Sequence, residues 1–235
     1  MSIPQSDQRL FDIHILSRRK KFKFRPFLVK EEKILVLATQ SDDQLDLVKA
    51  IQQVITNCSF GEVQGDDIPI FDLQKIFMQL RSASISPKFA VNFVCGHCDE
   101  SIPEEIDMND FDITENENHI NPIKVNDDTA ILMGYPTAED LMDIGAAKEE
   151  LDIYDAAANC IEEIHTKDDV VLGSDLTKEE KIEFIEGLSL GEFGAFKDFF
   201  GTMPVLEKEI TFTCKNTDCG KTSTFWMNGY LDFFV

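Results

Sequence analysis

Two cysteine pairs carry the chemistry open to this sequence: Cys95-Gly96-His97-Cys98 and Cys214-Lys215-Asn216-Thr217-Asp218-Cys219. Each pair sits on a short turn between two strand-like runs, Ala90–Val94 and Ser101–Ile106 for the first, Glu209–Thr213 and Thr222–Trp226 for the second. A thiolate pair on a tight turn between strands is half of a tetrahedral four-cysteine zinc site, and two such hairpins make a zinc ribbon. The expectation is one structural Zn2+ per chain, held by Cys95, Cys98, Cys214 and Cys219, in a ribbon split by residues 99–213. Four thiolates leave no open position for water or substrate, so such a metal is structural.

Cys-Gly-His-Cys also looks like the redox motif of disulfide isomerases, whose low-pKa thiolate opens a long helix. Here Pro103 and a carboxylate-rich run follow instead, and a second cysteine pair waits for a partner. A structural disulfide is the third reading, but nothing in the chain points to an oxidising compartment. Cys58 and Cys160 fall in helix-like apolar stripes and are read as reduced core residues.

With 235 residues, 43% of them hydrophobic, and 19 Phe, the chain can bury a sizeable core as one large domain or two small ones. The first twenty residues lack an apolar run, and no segment approaches the ~20 apolar residues that cross a bilayer, so a soluble cytoplasmic protein is expected. A net charge of −22 repels phosphates and argues against general affinity for nucleic acid or anionic membranes. The charge is uneven. Residues 1–33 hold nine Lys/Arg against four Asp/Glu, the remainder 13 against 40, an asymmetry that suggests protein partners with charged faces of their own.

The elements that must position the cysteines follow in order. Leu10–Leu16 and Lys21–Arg25 read as a hairpin, with Phe22 and Phe24 on one face and Lys21, Lys23 and Arg25 on the other. Helices are expected over Lys30–Thr39, Gln44–Asn57 (capped by Asp42 or Asp43) and Asp72–Ser82, where Leu73, Ile76, Phe77 and Leu80 form one stripe. From Asp99 to Ala130 eleven Asp/Glu face Lys124 alone, with apolar residues frequent enough for short strands; Asp107–Asp112 lacks the central Gly of a calcium loop. A strand at Thr129–Pro136 precedes a helix over Leu151–Ile164, with His165 at its end, where the dipole favours it. Thr177 and Glu180 form a capping box for a helix through Leu188, and Gly191–Phe200 forms another, closed by Gly201 and Pro204.

The run Arg25-Pro26-Phe27-Leu28-Val29-Lys30-Glu31-Glu32-Lys33-Ile34-Leu35 resembles the baseplate hub assembly proteins of T-even-type contractile-tailed phages. Ile68–Leu73, Phe77–Ser82 and the two cysteine pairs are similar to that family as well, so the resemblance spans roughly residues 10–235. It implies a role in building the central hub of the tail baseplate, baseplate hub proteins as partners, work in the host cytoplasm during assembly, and no catalytic residues.

The expected fold class is α+β: an N-terminal β-hairpin plus helices (1–89), a split four-cysteine zinc ribbon (90–128 plus 204–235) and a helical insertion (129–203). The expected function is a non-enzymatic, chaperone-like baseplate hub assembly factor acting through protein–protein binding. The alternatives are a permanent structural subunit of the baseplate, or a zinc-ribbon protein of a nucleic-acid-associated complex. The last is disfavoured because Lys208, Lys215 and Lys221 are isolated. No Gly-rich phosphate loop, no Ser/His/Asp order and no open metal site support an enzyme. Arg18, Arg19, Lys20 and Lys21 are the candidate partner-binding residues, facing an acidic surface of a hub protein or residues 99–118 of a neighbouring copy. Phe27, Leu28, Ile34 and Leu35 are expected to pack inward, and Lys30, Glu31 and Lys33 to face water.

Overall fold

Strict alternation writes the first element of this computed structural model, which describes residues 9–41, 43–140 and 152–227. Strands β1 (Phe11–Ile15) and β2 (Lys20–Phe24) pair antiparallel, Ile13 opposite Phe22 and Asp12 opposite Lys23. Ile13, Ile15, Phe22 and Phe24 are buried and Lys21 and Lys23 exposed, as a period of two requires. The buried Asp72 carboxylate accepts the Leu16 and Ser17 amides, each at 2.9 Å, and so fastens the hairpin turn to a helix.

Helices α1 (Val29–Ala38), α2 (Gln44–Cys58) and α3 (Ile70–Ser84) follow. Asp43 caps α2 by accepting the Leu45 amide at 2.9 Å, while Asp42 lies outside the described residues. Val48, Ile51, Val54, Ile55 and Cys58 of α2, and Leu73, Ile76, Phe77 and Leu80 of α3, are buried. Each large side chain so buried contributes about 1.5–3 kcal/mol. Between the two helices Gly65 lies against α2, and a Cβ there would run into the Gln52 backbone. Gly65→Ala is therefore expected to cost about 1–3 kcal/mol through backbone displacement, read as a lower denaturant midpoint. A variant as stable as wild type would show that the loop yields freely.

Strands β3 (Lys88–Val94), β4 (Ser101–Asp107) and the short β5 (Asp112–Thr114) come next. The chain then divides into two units, Met1–Thr114 with Val205–Val235 and Glu115–Pro204.

The second unit holds β6 (Ile123–Lys124), β7 (Ala130–Met133), α4 (Asp152–Asn159), β8 (Ile161–His165), β9 (Val170–Leu172), α5 (Lys178–Glu186) and α6 (Leu190–Thr202). Its strands form one antiparallel sheet in the order β6-β7-β8-β9, beside the helices expected there. The helix expected over Leu151–Ile164 is corrected: it ends at Asn159, and Ile161–His165 is a strand; Leu151 lies outside the described residues. Ile161 and Ile164 keep a helical spacing in sequence, but pairing with β7 on one side and β9 on the other decides their conformation. His165 is accordingly not at a helix end. Its Nε2 lies 2.7 Å from the Glu163 carboxylate on the same strand.

Ile131, Ile161, Ile164, Ile185, Phe193, Phe196 and Phe199 form the core of this unit. The Thr177–Glu180 capping box is present, and Ser189 with Glu192 forms a second at the start of α6. His119 joins the start of the unit to its last helix. The Thr202 hydroxyl donates to the Asp198 carbonyl at 2.7 Å, so it accepts from His119 Nδ1–H at 3.0 Å, and Nε2 accepts the Tyr135 hydroxyl at 3.0 Å. Burial lowers the His119 pKa below its ordinary 6.5, in keeping with this neutral ring.

The chain returns through β10 (Val205–Thr213) and β11 (Thr222–Met227). These join β5 in the order β11-β10-β5, and the pairs Val205–Thr114 and Leu206–Ile113 bring the two ends of the insertion side by side.

Candidate metal centre

Each cysteine pair closes a hairpin whose strands stay in register up to the turn, Val94 opposite Ser101 and Thr213 opposite Thr222. The two turns are built alike. The Asp99 amide donates to the Cys95 carbonyl at 3.0 Å and the Gly220 amide to the Asn216 carbonyl at 3.0 Å. The residue after each second cysteine takes a left-handed conformation, Asp99 at φ 58° and Gly220 at φ 55°, which turns the chain back into the outgoing strand. Beneath the turns Phe93 stacks on Phe212 with centroids 5.0 Å apart, over a core that includes Met78, Ile102, Phe111, Ile210 and Met227. Across the hairpins Lys215 donates to the Pro103 carbonyl and pairs with Glu104, both at 3.1 Å.

The four sulfurs of Cys95, Cys98, Cys214 and Cys219 converge, all within 4.8 Å of one another. Cys95 and Cys219 are 3.9 Å apart and Cys98 and Cys214 3.6 Å, with all four thiols free. A tetrahedral metal with M–S bonds of ~2.3 Å sets its sulfurs ~3.8 Å apart. The donor set thus fits a thiophilic divalent cation.

The electrostatics agree. Amides of His97 and Cys98 aimed at the Cys95 sulfur bring its pKa down to about 6. Cys98 is pushed up to about 12: the Glu100 amide favours its thiolate, but desolvation and the neighbouring sulfurs outweigh it. Cys214 is raised in the same way, against the pull of the Asn216 amide. Four sulfurs this close cannot all ionise without a cation among them.

Strand β4 follows the first pair where a disulfide isomerase would have a helix. Cys58 and Cys160 stand apart from the cluster, buried, with desolvation raising their pKa to about 11 and about 12.

A model of the family described as T4 bacteriophage base plate protein matches residues 10–235. The chain belongs to this family. Comparison with curated proteins and with solved structures finds no match. For this baseplate protein, membership implies contact with other baseplate components. No helix among the described residues is long and apolar enough to cross a membrane.

The basic residues around the first turn of this baseplate protein are not equivalent. Arg18 pairs with Asp67 at 3.0 Å, and both Arg18 and Lys20 lie over the Phe22 ring. Arg19, at φ 47°, and Lys21 are exposed and have no ion-pair partner among the described residues. The expectation that Glu31 faces water is overturned, because Glu31 is fully buried. Its carboxylate takes the Arg25 guanidinium in a two-pronged pair at 2.9 and 3.3 Å and accepts the Leu28 amide at 2.8 Å. Sequence reasoning missed this hub, although an Arg and a Glu six apart, flanking Pro26 at a helix start, were its visible signal.

Proposed function

We propose that this baseplate protein is a non-enzymatic assembly factor for the baseplate hub, working in the host cytoplasm and held in shape by one structural zinc. The closed four-sulfur centre carries this reading: Cys95 and Cys98 would hold the ion on one hairpin, Cys214 and Cys219 on the other. Bound there, zinc would supply a crosslink and no reactive position. The crosslink would join the β3–β4 hairpin to the β10–β11 hairpin, which lie on either side of the inserted segment in the chain. The exposed Arg19 and Lys21, with Arg18 and Lys20 beside them, would steer association with an acidic face of a hub protein, a rim contribution felt in rate and salt dependence.

Deleting the gene from the phage that encodes this chain is the direct test. The expected result is infected cells that accumulate baseplate proteins without complete hubs, while purified wild-type virions lack the chain by quantitative mass spectrometry. Normal baseplates in its absence would overturn the proposal. Stoichiometric presence in the virion would make the chain a permanent subunit instead.

A further inference from the structure

We infer that Cys98 is a peroxide-reactive thiol whose oxidation closes a disulfide with Cys214, so that the two cysteine hairpins exchange a metal crosslink for a covalent one. This response belongs to the proposed zinc centre and rests on that reading.

The four cysteines are not equally reachable. Cys95 and Cys214 are buried and Cys219 is intermediate, whereas Cys98 is exposed. The first turn builds this difference. Cys95 joins the core with Phe93 and Ile102, and its carbonyl accepts the Asp99 amide that closes the turn. Cys98 stands just before Asp99, on the open side of that loop. Susceptibility to oxidation follows thiolate character and exposure. A metal held at this centre keeps its sulfur ligands as thiolates, and Cys98 is the one most open to solvent. Cys58 and Cys160 are buried and outside the group of four.

Two sulfur contacts cross between the hairpins. Cys98 Sγ lies 3.6 Å from Cys214 Sγ, and Cys95 Sγ lies 3.9 Å from Cys219 Sγ. Burial shields Cys214 from the oxidant, yet its sulfur already touches that of Cys98. Closing this contact to a bond of about 2.05 Å takes a modest movement of two side chains. The second hairpin is also braced against the first, since Lys215 is tied to Pro103 and Glu104, and the Asn216 side-chain amide lies 4.0 Å from the Cys98 sulfur. The resolving sulfur therefore stays in place while Cys98 reacts.

The Cys98 thiolate attacks one oxygen of a hydroperoxide and the O–O bond breaks. The other oxygen takes a proton and leaves as water or alcohol, and Cys98 becomes a sulfenic acid. The Cys214 thiolate then attacks the Cys98 sulfur, the S–S bond forms, and hydroxide leaves and is protonated to water. The two sulfurs have given up two electrons and the peroxide has accepted them. Two thiolates remain, too few to close a four-ligand site, so zinc is released. A disulfide within either turn would leave the β3–β4 and β10–β11 hairpins joined only by the intervening chain. Cys98–Cys214 instead bridges residues 99–213 and restricts the unfolded chain.

The test uses the full wild-type chain, prepared with zinc in reducing buffer, desalted, and titrated with hydrogen peroxide beside a zinc-responsive dye. Free thiols are alkylated at each step and disulfides mapped by mass spectrometry. Zinc should leave in proportion to disulfide formed, the first disulfide should be Cys98–Cys214, and Cys58 and Cys160 should stay open to alkylation after denaturation. Hydrogen-exchange protection over β3, β4, β10 and β11 should persist in the oxidised chain and be lost in reduced chain stripped by a chelator. A first disulfide within either turn, Cys98 arrested as sulfinic or sulfonic acid, or an oxidised chain as unprotected as the stripped one overturns the inference. If the chain as prepared holds no zinc, the zinc reading fails by itself, and the disulfide map still decides the Cys98–Cys214 pairing.

Discussion

Cys95→Ser is expected to strip the metal from the chain and to unfold the two cysteine hairpins together. Structural four-ligand zinc sites have apparent binding energies of about 10–16 kcal/mol in small domains. Cys95 and Cys214 belong to the buried cluster beneath the hairpins, with Phe93, Ile102, Phe111, Leu206, Ile210 and Phe212. Most of what burial supplies here is offset by chain entropy, so loss of a crosslink of that size should outweigh the net stability that remains. Loss of the hairpins would also release the Val205–Thr114 pairing that joins the ends of the insertion. Elemental analysis should find about one zinc per wild-type chain and none in Cys95→Ser, with hydrogen-exchange protection lost over β3, β4, β10 and β11. Cys58→Ser and Cys160→Ser should keep the metal, because both thiols are buried and neither belongs to the group of four. Wild-type protein prepared in reducing buffer that keeps its native structure with metal content near zero would sink the assignment.

Glu31→Gln is expected to cost about 3–5 kcal/mol, the usual penalty for leaving one member of a buried ion pair without its partner. The side chains of Arg25 and Glu31 are 8% and 0% exposed, so water cannot replace what is lost. The Leu28 amide, which starts α1, would exchange its carboxylate acceptor for a weaker amide oxygen. Replacing both partners, as Arg25→Met with Glu31→Leu, should cost less than either charge-breaking single change, since it leaves no buried charge behind. Denaturant midpoints of the three proteins decide the matter, and a single variant as stable as wild type would show the pair to be dispensable.

The same pair sets an acid limit. Desolvation alone would raise the Glu31 pKa, but the Arg25 hydrogen bonds and the Leu28 amide outweigh it and hold the value below the ordinary 4.5. The folded state therefore binds fewer protons than the unfolded chain as the pH drops. The stabilisation is complete above about 4.5 and lost as the pH falls through the lowered folded value. The double variant should lose less stability over that range than wild type does.

Much of this was legible in residue order, for local reasons. Alternation wrote the β1–β2 hairpin, since a period of two fixes which side chains share a face whatever they later pack on. Stripes at helical spacing marked α2 and α3, and Thr177 with Glu180 marked the start of α5, because capping acts within one turn. Cysteine spacing marked both hairpins whose sulfurs converge, since a short gap between thiols on a turn has few uses. The family, too, was readable in the Arg25–Leu35 run.

Other features were decided only by tertiary structure, because the partner that settles each is distant in the chain. Ile161–His165 has helix-like spacing, yet it is a strand because β7 and β9 flank it. Glu31 looks like one more surface charge of an amphipathic helix until Arg25 and the end of α2 fold over it. Arg18–Lys21 reads as a uniform basic run, but Asp67 and the Phe22 ring occupy part of it and leave Arg19 and Lys21 exposed. The sequence alone determined which residues could bind a metal and which faces could be buried. Folding decided which of them meet, since pairing over separations such as Cys95 to Cys219 depends on every turn between them.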